Sequence, residues 1–384
     1  MDALTASLAF LGRRPLAVTA LIVVIYLVVL VPRLSHESMD GYDMPVILDA
    51  LIADHSLQAL GSWFVGPWAR SPDYYRPLVS LLDWVDFHVW GLAGWGWRLT
   101  NALLIAATML ALALLCRDGL ELPSAGPVAA ALLPLYDVAG GATFWPAWRT
   151  DVLCGLFLCL ATGAALGYLR EGRRRRAWLA LGAFLLAMLS KEAAFIWPAF
   201  LAVSVLILGN HRRGLLLLVA VTGLGGAVWL LRIHFLGHPL LGAPILHLNL
   251  PLERQLWHFW HVLFGPLYYG ISLVIPTMVG EPFWWLSNKF LGVLLSGIVF
   301  IVVNVAAGVG APRLLGVLWA WRLIMYLPSM PFARIYLFYI YIPTLGTVLL
   351  YGVGIVCAAR LVYRCYAHRQ EVEPHAMEAP PDER

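Results

Sequence analysis

Long apolar stretches separated by short polar ones run almost the whole length of the chain. About ten of them approach the roughly 20 residues that a membrane-crossing helix requires. They fall at about 15–33, 95–115, 125–146, 152–169, 177–190, 193–209, 214–232, 286–308, 313–329 and 338–362, several interrupted by Gly or Pro. The first, Pro15 to Pro32 after Arg13-Arg14, is long for a secretory signal and lacks a small-residue cleavage site before Arg33. It reads as a retained first span.

The polar connections are of two kinds. Arg13-Arg14, Arg117, Arg170 with Arg173 to Arg176, Arg212-Arg213, Arg313, and Arg360 with Arg364 fall on every second connection. Basic residues collect in short cytoplasmic loops, so this alternation places all of these, and both chain ends, in the cytoplasm. The intervening loops then face outward. The first, about 34–94, carries acids and then Trp63, Trp68, Tyr74 and Tyr75. Within it Pro77 to Trp90 predicts an amphipathic helix, with Trp84, Phe87 and Trp90 on one face and Asp83 and Asp86 on another, lying in the interface plane. A second outer segment, about 233–285, is similarly aromatic. The expectation is one membrane domain over residues 1–368 and a disordered cytoplasmic tail over 369–384, polar and with almost nothing to bury.

Composition sharpens this reading to a class. The apolar set makes up 61% of residues, charged residues only 12%, and the mean hydropathy is +0.78. A water-soluble globule has too little interior for that much apolar surface, so lipid is the main solvent. The fold class is all-α, a polytopic membrane helix bundle of about ten transmembrane helices with interfacial helices in the outer loops. No long-period repeat and no phosphate-cradling glycine loop is evident, and no nucleic-acid partner is expected. The cysteines (Cys116, Cys154, Cys159, Cys357, Cys365) show no metal spacing and sit in or beside apolar runs, where a thiol behaves as a small hydrophobe.

Ionisable groups near the membrane are costly and tend to mark function. The outer side carries Asp40, Asp43, Arg76, Arg149, Asp151, Lys191, Glu192 and Arg334, all at predicted helix ends or in loops. Acids there can serve as general base toward a hydroxyl or hold a divalent cation. Arg and Lys can grip a phosphate and stabilise the charge as it leaves. Together they suit transfer of a group from a phosphate-linked lipid. Against that stand plainer readings: loop carboxylates in solvent, headgroup anchoring by Arg76, snorkelling by Arg334, and an ion pair from Lys191-Glu192 to Asp151 or Arg149. Arg149 and Asp151 are two residues apart and would not share a helix face. His258 and His261, at i, i+3, have no acid at a matching offset and read as part of an aromatic interfacial helix.

Short motifs add a resemblance. Tyr75-Arg76-Pro77-Leu78, Trp90-Gly91-Leu92 and Arg98-Leu99-Thr100-Asn101 resemble the YRPL…GL…HLTN pattern of GT-C membrane glycosyltransferases, in particular the protein O-mannosyltransferase-like group that includes tetratricopeptide-repeat members. Trp148-Arg149-Thr150-Asp151, Ser190-Lys191-Glu192 and Ala333-Arg334-Ile335-Tyr336 follow in the family's order, so the likeness covers about residues 15–350. It implies a GT-C-like fold and transfer of a sugar from a polyprenyl-phosphate donor to an acceptor hydroxyl on a protein, lipid or glycan, at the outer face of what would be a bacterial inner membrane. It further implies catalytic roles for Asp40, Asp43 and Asp151, and donor or acceptor contacts for Arg76, Arg149, Lys191, Glu192 and Arg334. Two departures stand out: Gly41 occupies the place of the family's second acid after Asp40, and the repeats are missing. A transporter or flippase for a lipid-linked sugar, which would carry charges through the bundle and inverted repeats, and a non-catalytic membrane partner derived from such an enzyme are the competing expectations.

Overall fold

The computed structural model describes residues 2–35, 44–68, 71–237, 297–329 and 340–377. Among the described residues the regular structure is helical: α1 (Asp2–Arg13), α2 (Pro15–Leu30), α3 (Met44–Ala53), α4 (Leu57–Phe64), α5 (Pro77–Trp90), α6 (Gly94–Leu114), α7 (Ala125–Leu132), α8 (Asp137–Phe144), α9 (Arg149–Glu171), α10 (Arg174–Met188), α11 (Trp197–Leu208), α12 (His211–Leu236), α13 (Gly297–Gly310), α14 (Pro312–Tyr326) and α15 (Tyr341–Met377). Among the described residues, five helical stretches are long and apolar enough to cross a membrane: Pro15–Arg33, Gly94–Gly119, Pro146–Glu171, His211–Leu236 and Tyr341–Ala367. Shorter apolar helices lie between them. The polytopic all-α bundle expected from the apolar pattern is therefore the architecture found.

The bundle is organised around α9. In an apolar 18-residue stretch of Pro146–Glu171, 78% of the residues are buried, against 17% in Pro15–Arg33, so α9 is the central pillar and α2 lies at the periphery. Small residues explain why. Lipid tails are as apolar as leucine, so helices associate in a bilayer by close approach at Gly and Ala rather than by expelling water. A Cβ on Gly163 of α9 would meet the Leu115 Cα at 3.3 Å, and one on Gly126 of α7 would meet the Ala113 Cα at 2.8 Å. Gly352 of α15 brings that helix equally close to α7, with the Ala125 carbonyl 2.9 Å from where a Cβ would stand. On α2, by contrast, Leu21, Val24, Ile25, Val28 and Val29 are exposed, as lipid-facing residues should be.

One expectation needs correction. The stretch 125–146 is not one span: α7 tightens into a 3-10 turn at Leu133–Leu135, Tyr136 is extended (φ −80°, ψ 130°), and α8 restarts at Asp137. Pro134 lacks the N–H needed to continue the helix. Asn101 of α6 holds the far end of α8, its amide donating to the carbonyls of Ala142 (2.6 Å) and Trp145 (3.3 Å). At the C-terminus the last helix runs to Met377. Arg369, Gln370, Glu371 and Glu373 are good helix formers and extend a helix already nucleated in the bundle.

Charges at the arginine-rich end agree with the expected alternation. Arg170 pairs with Glu121 at 2.6 Å and donates to the Asp118 carbonyl, Arg213 donates to the carbonyls of Leu169 and Arg170, and Arg176 pairs with Glu171 at 2.9 Å. The connections near 117, 172 and 212 thus share one end of the bundle, opposite the start of α9.

The close approach at Gly352 predicts a test of this packing. Gly352→Val forces α15 away from α7 and should lower the melting temperature of the detergent-solubilised protein by several degrees, as expected for roughly 1–3 kcal/mol of overpacking. Gly226→Ala, where nothing stands within 4 Å, should leave it unchanged or slightly raised.

Candidate functional site

Three segments far apart in sequence meet at the end of the bundle opposite the arginine-rich one: the loop entering α5, the start of α9, and the turn between α10 and α11. Each arrives in its geometry for a local reason. Pro77 presets the first helical φ of α5, while Gly91, at φ +55°, ends it. The N–H of Leu78 donates to the Leu189 carbonyl, tying the start of α5 to the end of α10. In the turn, Lys191 is extended (φ −159°, ψ 145°), so its side chain and that of Glu192 point in different directions. That is how one dipeptide serves two partners.

Glu192 takes the Arg76 guanidinium side-on, with Nη2–Oε2 at 2.7 Å and Nε–Oε1 at 3.2 Å. Arg76 also lies over the rings of Tyr74 (4.3 Å) and Trp68 (4.9 Å), and its Nη1 takes no part in the fork with Glu192. Lys191 reaches α9 instead, its Nζ 2.5 Å from Asp151 Oδ1, while the Thr150 hydroxyl donates to the other oxygen at 3.0 Å. Burial holds the Lys191 ammonium below its ordinary range, with Asp151 opposing the shift and Arg76 adding to it.

Arg149, two residues before Asp151, faces α5. Its Nη1 lies 3.0 Å from Asp83 and 2.8 Å from Asp86, and its guanidinium sits 5.0 Å from the centre of the Trp97 ring. Arg149 is 1% exposed, Asp83 3% and Asp86 2%, so this is one cation held between two carboxylates away from water. Burial pushes the Asp83 carboxyl up to about 6; Arg149 opposes the shift and the nearby Asp86 adds to it. Asp86 is raised as well, burial first, with Arg149 and the Thr100 hydroxyl (2.7 Å) holding it down. Arg232 of α12 completes the group, donating to the Asp73 carbonyl at 2.9 Å within electrostatic range of Arg76 and Glu192.

Of the residues nominated from sequence, Arg76, Arg149, Asp151, Lys191 and Glu192 come together. Asp40, Asp43 and Arg334, like His258 and His261, lie outside the described residues. The pairing of Lys191 is the one weighed as a plainer reading, an ion pair to Asp151. Asp83, Asp86 and Arg232 escaped nomination. The two acids look like the solvated face of an amphipathic helix, yet that face turns inward and the exposed residues of α5 include Val85 and Val89. Their i, i+3 spacing opposite a lone buried arginine was the signal available. The Arg98-Leu99-Thr100-Asn101 run is a set of braces: Arg98 donates to the Leu34 carbonyl at 2.7 Å, Thr100 to Asp86, and Asn101 to α8. A further buried cation, Arg322 of α14, lies apart from the cluster over the Trp319 and Phe300 rings. Among the described residues no three of His, Cys, Asp or Glu converge to hold a metal ion.

Removing one partner of a buried ion pair costs about 3–5 kcal/mol because the other is left unpaired. Arg149→Met should destabilise the protein by about that much in detergent melts at pH 7, and adding Asp83→Asn and Asp86→Asn should recover most of it. The raised Asp83 value also fixes a pH dependence. Its contribution to stability is complete below about pH 4, the ordinary carboxyl value, and is lost as pH rises through about 6. Asp83→Asn should flatten that part of the melting-temperature profile, and an unchanged profile would assign the proton to another group.

Residues 72–236 match the model of the family described as dolichyl-phosphate-mannose-protein mannosyltransferase. No curated protein and no solved structure matches the chain. The matched segment is less than half of the chain, but it contains every residue of the paired-charge cluster, from Asp73 to Arg232, and it supports reading this membrane protein as a glycosyltransferase of the GT-C type.

Proposed function

We propose that the chain transfers a sugar from a polyprenyl-phosphate donor to an acceptor hydroxyl on the extracytoplasmic side, with inversion at the anomeric carbon. The observation that carries this reading is the coincidence of the family match with the buried ion cluster at one end of an otherwise apolar bundle. A donor of this kind needs a lipid phase for its tail and a cationic, water-poor corner for its phosphate.

The cluster is polarised in a way that favours one corner. Arg149 faces two carboxylates, and Lys191 and Asp151 balance each other. Arg76 and Arg232 share Glu192, and the Asp73 carboxylate also lies within electrostatic range of Arg232. With all groups ionised the Arg149 corner carries an excess of carboxylate, so the corner at Arg76 and Arg232 is the more cationic of the two. Arg76 is stacked on Tyr74 and Trp68 and pinned by Glu192, which leaves its Nη1 edge to meet a phosphate without reorganising. In this reading Arg76 holds the donor phosphate. Lys191 adds charge beside it, and Glu192 and Arg149 keep the loop and α9 in place. Asp151 orients Lys191 and the acceptor side.

The reaction itself is a single displacement. The acceptor oxygen forms a bond to the anomeric carbon as the bond from that carbon to the phosphate oxygen breaks. The electron pair leaves with the phosphate, and the hydroxyl proton passes to a carboxylate, for which Asp40 is first choice and Asp43 second. Arg334, matching the late motif, would join the donor contacts. Membership of the O-mannosyltransferase-like subgroup and a bacterial inner-membrane location go with the same reading.

Radiolabelled polyprenyl-phosphate sugars offered to the purified protein in nanodiscs test it. Turnover of one donor, lost in Asp40→Asn, would establish the transferase and its base together. Turnover that survives that change but falls in Asp43→Asn or Asp151→Asn moves the base. Arg76→Met should raise KM for the donor by ten-fold or more, the loss of roughly 1.5–3 kcal/mol from a charged hydrogen bond. Tight binding of a donor with no turnover would favour a transporter or non-catalytic partner.

A further inference from the structure

A second feature lies at the other end of the bundle and owes nothing to the transferase reading. Between the end of α6, α9 and α10 runs a groove of about 710 Å³. Its walls are apolar, with Leu114 of α6, Phe157 and Leu160 of α9, and Leu179 and Leu186 of α10. It opens where α6 ends in a wider π-helical turn, Leu115–Gly119, which Gly163 of α9 lets approach. Its mouth is basic: Arg117, Arg173, Arg175 and Arg176 line it against one acid, Asp118.

The dimensions match one leaflet. From Arg175 to Leu186, both of which line the groove, α10 advances about 16.5 Å at 1.5 Å per residue. Half of a hydrocarbon core of roughly 30 Å is about 15 Å. The groove therefore runs from near the bilayer centre to the headgroups of the arginine-rich side. Trp178 stands at the mouth, 72% exposed, where an amphipathic ring anchors at the interface. The protein neutralises the arginines only in part. Arg117 is taken by Asp118 at 2.7 Å, and Arg173 and Arg176 share Glu171 at 3.2 and 2.9 Å. Arg175 has no carboxylate in salt-bridge range among the described residues, so the mouth keeps positive charge. Gly167 lets Arg176 lie flat across α9, since a Cβ there would come within 2.2 Å of its Nη1.

We infer that this groove is a binding site for an anionic glycerophospholipid of the arginine-rich leaflet, one acyl chain between α9 and α10 and the phosphate at Arg173 and Arg175. An apolar trough alone would take any lipid. The surplus of arginine over carboxylate at headgroup depth selects for negative charge.

Purified protein in detergent, given dioleoylphosphatidylglycerol or dioleoylphosphatidylcholine, provides the test by native mass spectrometry and thermal melts. The anionic lipid should be retained and should raise the melting temperature, and the zwitterionic one should do so far less. Arg173→Gln with Arg175→Gln should weaken the anionic lipid roughly 10- to 30-fold, while binding of the zwitterionic lipid stays as it was. Gly182→Phe fills the trough where nothing stands within 4 Å of the glycine, and it should reduce both lipids without lowering the melting temperature of the delipidated protein. Equal retention of the two lipids by wild type, or a preference for the anionic one that survives the arginine changes, would overturn the proposal.

Discussion

A charge buried beside hydrocarbon must find a partner inside the protein, and the non-basic end of this bundle is organised by that requirement. Arg149, at the first turn of the most buried helix, draws Asp83 and Asp86 inward and with them the whole of α5. Without this clamp an interfacial helix has no reason to present its acids rather than its aromatics to the core. The cost of desolvating three charged groups is offset only if none is left alone. Hence the surrounding braces: Thr100 on Asp86, Trp97 beneath the guanidinium, and Arg98 and Asn101 fixing the helix that carries them.

The same requirement makes the site polar in a useful direction. Arg149 is matched by two carboxylates and Lys191 by one, while Arg76 and Arg232 share Glu192 at the edge of the cluster, with Asp73 near Arg232. A phosphate entering there would meet two cations, whereas one placed near Arg149 would have to displace a carboxylate. Stacking Arg76 on two aromatic rings removes its freedom beforehand, which is what electrostatic stabilisation of a leaving group requires.

The two ends of the molecule use arginine differently. At the α9 start each cation is buried and its partner lies in another element. At the opposite end Arg117, Arg173 and Arg175 are exposed, several arginines pair with acids close by in sequence although Arg170 reaches Glu121, and a net charge is kept facing the headgroups. Depth explains the contrast: exposed charges are solvated and weakly held, and buried ones must be specified.

How much was legible follows from the same physics. The apolar runs marked the spans because the demand of lipid acts on each residue locally; α2, α6, α9 and α12 stand close to where the runs predict. The α5 helix and its two faces were readable from spacing, and so was the set of arginines at one end. The family-like motifs pointed to Arg76, Arg149, Asp151, Lys191 and Glu192. What the sequence by itself could not decide was who meets whom. Arg149 finds Asp83 across 66 residues, Arg76 finds Glu192 across 116, and Lys191 finds Asp151 across 40. Nor could it decide that α5 turns its acids inward, that Pro134 breaks a span whose loose end Asn101 then catches, or that α9 and α10 leave a trough between them. Hydrophobicity is a property of a residue and can be read in order along the chain. Pairing and packing are properties of two surfaces, and they exist only once the helices have been brought together.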